Sequence, residues 1–158
     1  MTLIELLVAI TVLAVVGAVL LPVINSAVDV YAATSTLRNA SENCSFAMDR
    51  AVRLLRDAPA GSTAGQVGIT TAQANEIRFS DGRGLSLSNG VLLIRQADGT
   101  TAPLCRNVTA FELTYLDQDG VVSTAATPTM TQRINVRIAL PETQLTATAA
   151  IRARMVTP

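Results

Sequence analysis

The first 28 residues read MTLIELLVAITVLAVVGAVLLPVINSAV, and residues 6–28 of this stretch carry no formal charge. At 1.5 Å per residue, a helix over residues 6–28 is about 34 Å long, which exceeds the roughly 30 Å hydrocarbon core of a bilayer. A secretory signal peptide places basic residues before its apolar run, whereas here the apolar stretch begins almost at residue 1 and includes the acid Glu5. Residues 1–28 are therefore predicted to form a retained membrane helix.

The composition argues against most enzymes and against nucleic-acid binding. The 158 residues include no histidine and no lysine, five aromatic side chains, and equal numbers of basic and acidic residues. Histidine is the usual general base and the commonest metal ligand, and a net positive charge is what attracts nucleic acid. We therefore expect a non-enzymatic protein without a cofactor and without a nucleic-acid partner.

Beyond residue 28 the chain has no turn signal until Pro59 and Gly61, which predicts one helix from residue 2 to about 57. In its second half, small and apolar residues recur at steps of three and four, as on a core-facing helix side. They are Val30, Ala33, Leu37, Ala40, Cys44, Ala47, Met48, Ala51, Leu54 and Leu55. We expect this stripe to pack against a sheet, and we interpret the charged residues between its members as solvent-exposed decoration.

The rest of the chain is predicted to form short strands joined by turns. Residues 58–75 contain the flexible stretch GSTAGQVG and are assigned to a connecting loop, while 76–158 are assigned to an antiparallel sheet. Asn89-Gly90 between two apolar runs is a strong hairpin signal. The individual strands are predicted at 76–80, 85–88, 91–94, 101–108, 133–140 and, more weakly, 144–155. The fold class is therefore α+β. Residues 1–28 are the hydrophobic first half of the long helix, and residues 29–158 form a soluble α+β head.

Two cysteines are the candidates for a covalent link. Cys44 lies on the stripe that should face the sheet, and Cys105 lies in a predicted strand. This placement motivates a disulfide that would close a loop of about 62 residues and contribute about 3–5 kcal/mol in the chain-entropy model. Two buried free thiols are the alternative.

Asp117 and Asp119 form the only cluster that suggests a metal. The sequence Asp-Gln-Asp-Gly resembles part of a calcium loop, but an EF-hand needs a Glu at the twelfth position, where this chain has Pro128. We therefore interpret Asp117 and Asp119 as turn residues and predict no metal site. The same two acids are the nearest approach to a catalytic carboxylate pair, and no catalytic residue is assigned.

Three residues of the apolar segment bear on its role, and they are Glu5, Gly17 and Pro22. A carboxylate at the edge of a spanning helix is costly, so Glu5 calls for a partner. One possibility is local, because Thr2-x-x-Glu5 fits a capping box. Gly17 and Pro22 lie further along, and they predict a kink or local melting of the helix between residues 17 and 22. The alternative is an ordinary membrane helix, in which both residue types are common.

Residues 1–10, Met-Thr-Leu-Ile-Glu-Leu-Leu-Val-Ala-Ile, resemble the processed amino terminus of type IV pilins and of the pseudopilins of type II secretion and competence systems. The match covers about 25 residues and combines a chain end, an apolar run and an acid at position 5. The resemblance implies the mature form of a protein from which a prepilin peptidase has removed a leader. It also implies a long helix packed against an antiparallel sheet.

The resemblance implies a structural role in a filament. Glu5 of one copy would pair with the α-amino group of Met1 of another during assembly, and the region from Gly17 to Pro22 would lose helicity in the assembled state. The implied partners are copies of this chain, other pilins or pseudopilins, the peptidase, and the assembly platform and its ATPase. The implied location is the bacterial inner membrane before assembly and a periplasmic or extracellular filament afterwards.

Three interpretations remain open at this point. The first is the principal subunit of a type IV pilus or a similar filament. The second is a low-copy minor pilin or pseudopilin of a secretion or competence system. The third, from a different class, is a periplasmic binding protein that is anchored in the inner membrane and forms no filament, in which case Glu5 is only a cap.

Overall fold

The computed structural model describes residues 2–63, 65–117, 119–120 and 130–152. It confirms the predicted α+β class, because one long amino-terminal helix precedes antiparallel strands and packs its second half against them. The elements are α1 (Leu3–Arg56), β1 (Ile69–Ala72), β2 (Glu76–Phe79), β3 (Gly84–Ser88), β4 (Val91–Arg95), β5 (Thr101–Cys105), β6 (Ala110–Leu116), β7 (Arg133–Ala139) and β8 (Gln144–Ala150).

Helix α1 is continuous from Leu3 to Arg56, and it runs through Pro22 without interruption. It ends just before Pro59, with Arg53 and Arg56 in its last turn, where cations interact favourably with the helix dipole. The chain nevertheless divides into two compact units, Met1–Asn39 and Ala40–Pro158. In the first unit, residues 2–39 are all exposed except the half-buried Gly17.

The strands form two antiparallel sheets in the second unit. One has the order β1-β2-β3-β4-β5 and the other the order β6-β7-β8. The predicted Asn89-Gly90 hairpin is confirmed: Ser88 pairs with Val91 across a two-residue turn, and both turn residues have positive φ, 50° and 71°. This is the geometry of the type I′ turn that suits the twist of a hairpin.

The core lies where the last four turns of α1 meet the two sheets. The buried residues of the helix are Cys44, Ala47, Met48, Ala51, Leu54 and Leu55. Alternate residues of the strands face them, for example Phe111, Leu113 and Tyr115 of β6. Leu113 also joins the sheets directly, since its amide donates to the carbonyl of Ala74 at 2.7 Å.

The predicted apolar stripe is correct only in its second part. Cys44 and the stripe residues after it are buried, and Ala40 is half-buried, whereas Val30, Ala33 and Leu37 are exposed. The strands are too short to reach the earlier part of the stripe. Seven-residue strands such as those of the second sheet extend about 23 Å, close to the roughly 25 Å of helix from Ala40 to Arg56.

Four details of the strand assignment differ from the prediction. The segment assigned to a connecting loop, 58–75, contains strand β1, and β6 was not assigned to any strand. The strands belong to two sheets because β5 ends at Cys105 and the chain then turns at Asn107, whose φ is 58°, into β6. Strand β8 ends at Ala150, so the predicted strand is too long at Ile151 and Arg152, and the rest of its predicted range, from 153 onward, lies outside the described residues.

Candidate functional site

A reciprocal cap closes the start of α1. The amide of Thr2 donates to Oε2 of Glu5 at 2.8 Å, and the amide of Glu5 donates to Oγ1 of Thr2 at 3.4 Å. This is the arrangement of a capping box, which satisfies amides that have no helical acceptor. Met1, the predicted partner of Glu5 in a neighbouring copy, lies outside the described residues. The pairing between copies stays a prediction.

Gly17 and Pro22 lie within unbroken helix. A Cβ atom added at Gly17 would meet no atom within 4 Å, so the helix itself does not require glycine at this position. The structure shows no local melting between these two residues in a single chain. Loss of helicity in an assembled state remains a prediction.

Helix α1 carries many exposed large apolar side chains. By length and composition, α1 is the one helix among the described residues that could cross a membrane. Within the same described ranges, every exposed large hydrophobic side chain except Met130 belongs to α1. The exposed set extends beyond the membrane-length run 6–28, because Val30, Tyr31, Leu37 and Phe46 are 63%, 78%, 48% and 67% exposed. A bilayer that covers residues 6–28 leaves these four side chains uncovered.

Cys44 and Cys105 lie in the same core cluster as free thiols. Burial raises the pKa of both thiols, and the neighbouring Cys105 raises the pKa of Cys44 further. Sγ of Cys44 lies 3.9 Å from the carbonyl oxygen of Ile138, and Sγ of Cys105 lies 3.5 Å from that of Arg106. The structure therefore places the two cysteines in one neighbourhood and leaves them unbonded, whereas the sequence predicts a disulfide.

Asp117 and Asp119 lie at the end of β6, where the chain turns. The amide of Asp119 donates to Oδ1 of Asp117 at 3.0 Å, and Gly120 has a φ of 79°. This is the local geometry of a turn. Pro128, at the twelfth position of the calcium pattern, lies outside the described residues. In the part of the chain that the structure describes, no three His, Cys, Asp or Glu side chains are grouped to hold a metal ion.

A cleft that the sequence does not predict lies at the carboxyl end of α1. Its volume is about 590 Å³, and it is lined by Arg50, Arg53, Leu54, Asp57, Arg83, Ile94, Arg95, Gln96 and Ala97. Four of these side chains are arginines and one is an acid. The sequence separates them by up to 45 positions, so only the pairing of β3 with β4 and the packing of α1 bring them together. The one feature of the sequence that points to this cleft is the group of arginines near residue 50, which on sequence grounds are interpreted as solvent-exposed surface residues.

The amino-terminal helix and its cap are thus the features that sequence and structure both single out. The chain matches no protein-family model and no curated protein.

Proposed function

We propose that this chain is a structural subunit of a filament of the type IV pilin class, assembled through its amino-terminal helix. The observation that carries the proposal is the apolar surface of α1, which remains exposed beyond the length that a bilayer covers. Exposed apolar patches of this extent mark sites that bind a membrane or another protein. A membrane accounts for residues 6–28, and packing between copies of the helix accounts for the remainder.

Assembly exchanges lipid contacts for protein contacts. Lipid tails are as apolar as leucine, so a helix that leaves the bilayer and packs against identical helices loses little apolar burial. Small residues such as Gly17 and Ala18 allow close approach of helix backbones, and no side chain among the described residues occupies the space beside Gly17. The inner membrane before assembly, and a periplasmic or extracellular filament after it, are the locations that follow.

The charge of Glu5 indicates which partners the helix would have and how neighbouring copies would align in the filament. In an assembled core the carboxylate would meet the α-amino group of Met1 of a neighbouring copy, and an unpaired charge in that apolar environment would be strongly unfavourable. Copies of this chain are therefore the main partners, together with other pilins or pseudopilins. A prepilin peptidase, an assembly platform and its ATPase are the partners required for processing and extrusion.

The Thr2–Glu5 cap favours a second candidate function. Because Glu5 already has a structural role within its own chain, the protein could be an anchored periplasmic binding protein with no filament. The filament function requires the charge of Glu5 for assembly, whereas the anchored binding protein requires only the contribution of Glu5 to the cap. Glutamine also completes a capping box, so Glu5→Gln keeps the cap and removes the charge, whereas Glu5→Ala removes both.

The test expresses the wild type, Glu5→Gln and Glu5→Ala in the native host and measures each protein in membranes and in sheared surface filaments. We expect all three in the membrane and at least a tenfold loss of both variants from filaments. Normal incorporation of Glu5→Gln would contradict the charge-pairing role, and absence of the wild type from filaments would contradict the filament function. Negative-stain microscopy with quantification of subunit abundance separates a principal subunit from a low-copy minor pilin or pseudopilin.

A further inference from the structure

The cleft at the carboxyl end of α1 carries two arginines that the fold does not use. Arg53 pairs with Asp49 at 2.9 Å, and Arg83 pairs with Asp81 at 2.6 Å. In contrast, the side chains of Arg50 and Arg95 form no ion pair and no hydrogen bond within the described ranges of the chain. The helix dipole explains arginines in the last turn of α1, but Arg50 precedes that turn and Arg95 is on strand β4.

One wall of the cleft is held rigidly. Arg83 donates from Nη2 to the carbonyl oxygen of Asp57 at 2.7 Å and from Nε to Oδ2 of Asp81, which also accepts through Oδ1 from the Arg83 amide at 3.0 Å. These bonds tie the β2–β3 turn to the end of α1. A binding site on such a support loses less conformational entropy when a ligand arrives.

We propose that this cleft binds an acidic peptide segment of a partner protein, with Arg50 and Arg95 as the groups that receive its carboxylates. The guanidinium group presents a planar set of donors that matches a carboxylate, often through two hydrogen bonds. The volume of about 590 Å³ lies within the usual range of ligand sites, about 300–1,000 Å³. This inference does not depend on whether the chain enters a filament.

The lining favours a peptide over other anions. Leu54, Ile94 and Ala97 lie beside the arginines, so the site suits carboxylates that are flanked by apolar groups. Nucleic acid fits poorly because no lining residue is aromatic, so no base can stack on a side chain of the cleft. Binding should weaken as salt increases, since the arginines are partly exposed.

The test uses the full chain in an uncharged detergent and a fluorescein-labelled hexapeptide, Ala-Leu-Asp-Glu-Leu-Ala, with fluorescence anisotropy as the readout. The matched neutral peptide is Ala-Leu-Asn-Gln-Leu-Ala. We expect the acidic peptide to bind at least tenfold more tightly than the neutral one, and the double variant Arg50→Gln/Arg95→Gln to lose at least tenfold in affinity. The matched control Arg106→Gln changes an exposed arginine outside the cleft, and we expect less than a twofold change.

Two results would overturn the proposal. One is equal binding of the two peptides, and the other is unchanged binding by the double variant. Inorganic phosphate and an oligo-deoxythymidine serve as competing anions. If either binds through Arg50 and Arg95 while the acidic peptide does not, the cleft is an anion site of another kind. Urea unfolding of each variant confirms folding, because both substituted side chains lie outside the buried core.

Discussion

The two parts of α1 carry apolar side chains at the same helical spacing but differ in what covers them. Val30 and Leu37 remain about half exposed or more, whereas Cys44 and Leu55, on the continuation of the same stripe, have no exposed surface. The second part is covered by two sheets of the same chain. The first part has apolar side chains of similar type, and they remain exposed.

The largest contrast is expected in cysteine reactivity. Cys44 is fully buried and its pKa is raised by burial, with a contribution from Cys105, so alkylation requires local opening and loss of a proton. A cysteine introduced by Ser35→Cys would lie on the exposed part of the same helix. Under reducing conditions, we expect iodoacetamide to label this residue about 100-fold or more faster than Cys44, as quantified by peptide mapping. Equal rates would show that the core around Cys44 opens readily.

A second arm of this experiment tests the disulfide that the sequence predicts. The protein is purified without reductant, unfolded in urea and alkylated. A disulfide between Cys44 and Cys105 gives no added label until reductant is present, whereas two labels without reductant would contradict the disulfide. The closed loop would be long enough to contribute about 3–5 kcal/mol.

The next contrast concerns stability of the head. Leu55→Ala removes a fully buried side chain from the core and should destabilise the folded head by about 2–5 kcal/mol. Leu37→Ala is the matched control, because this leucine belongs to the predicted stripe but is exposed, and we expect a change below about 0.5 kcal/mol. Urea midpoints of the full chain in detergent, followed by near-ultraviolet circular dichroism, provide the measurement. A large effect of Leu37→Ala would mean that the first part of α1 is covered after all.

The smallest effect is expected from a single hydroxyl group in the core. Tyr115 donates to the carbonyl oxygens of Gln73 and Glu76 at 2.8 and 3.2 Å, which links β6 to the β1–β2 turn. Tyr115→Phe removes this donor and should destabilise the head by about 1–2 kcal/mol. Tyr31→Phe, on the exposed part of α1, should have no measurable effect.

The same residue gives a pH dependence. Burial raises the pKa of Tyr115 far above its usual value, so the folded head retains this proton at a pH where the unfolded chain releases it. The stability of the head should therefore fall as the pH rises above about 10. The two thiols also lower the stability of the head as the pH rises above about 8.5, and they do so equally in wild type and in Tyr115→Phe. The difference in stability between these two proteins therefore reports the tyrosine alone. Parallel curves for these two proteins would contradict this assignment.

Local signals in the sequence were sufficient for much of the fold. The charge-free run, the Asn89-Gly90 turn and the alternation in β7 are continuous stretches of sequence, and they form the predicted helix, hairpin and strand. Strand β6 also alternates, with Phe111, Leu113 and Tyr115 facing the core, so this strand could have been recognised. Strand β1 has no such pattern, because it is four residues long and contains an irregularity in its register.

The remaining features depend on distant parts of the chain. Helical periodicity identified a face of α1 that needs cover, but it contains no information on how far the strands extend along it. The arginine cleft likewise requires the placement of α1 next to β3 and β4. For Glu5, the sequence correctly identified the capping box as one role. A single chain contains no neighbouring copy, so the other role stays a prediction.

The order of strands in the two sheets bears on how the head folds. Each strand pairs with its neighbour in sequence, in the order β1 to β5 in one sheet and β6 to β8 in the other. Such ladders can grow one hairpin at a time, and local pairing generally allows rapid folding. The packing of α1 on the second sheet spans much more chain, 94 residues between Cys44 and Ile138. We therefore expect the hairpins to form first and the docking of the helix to limit the folding rate.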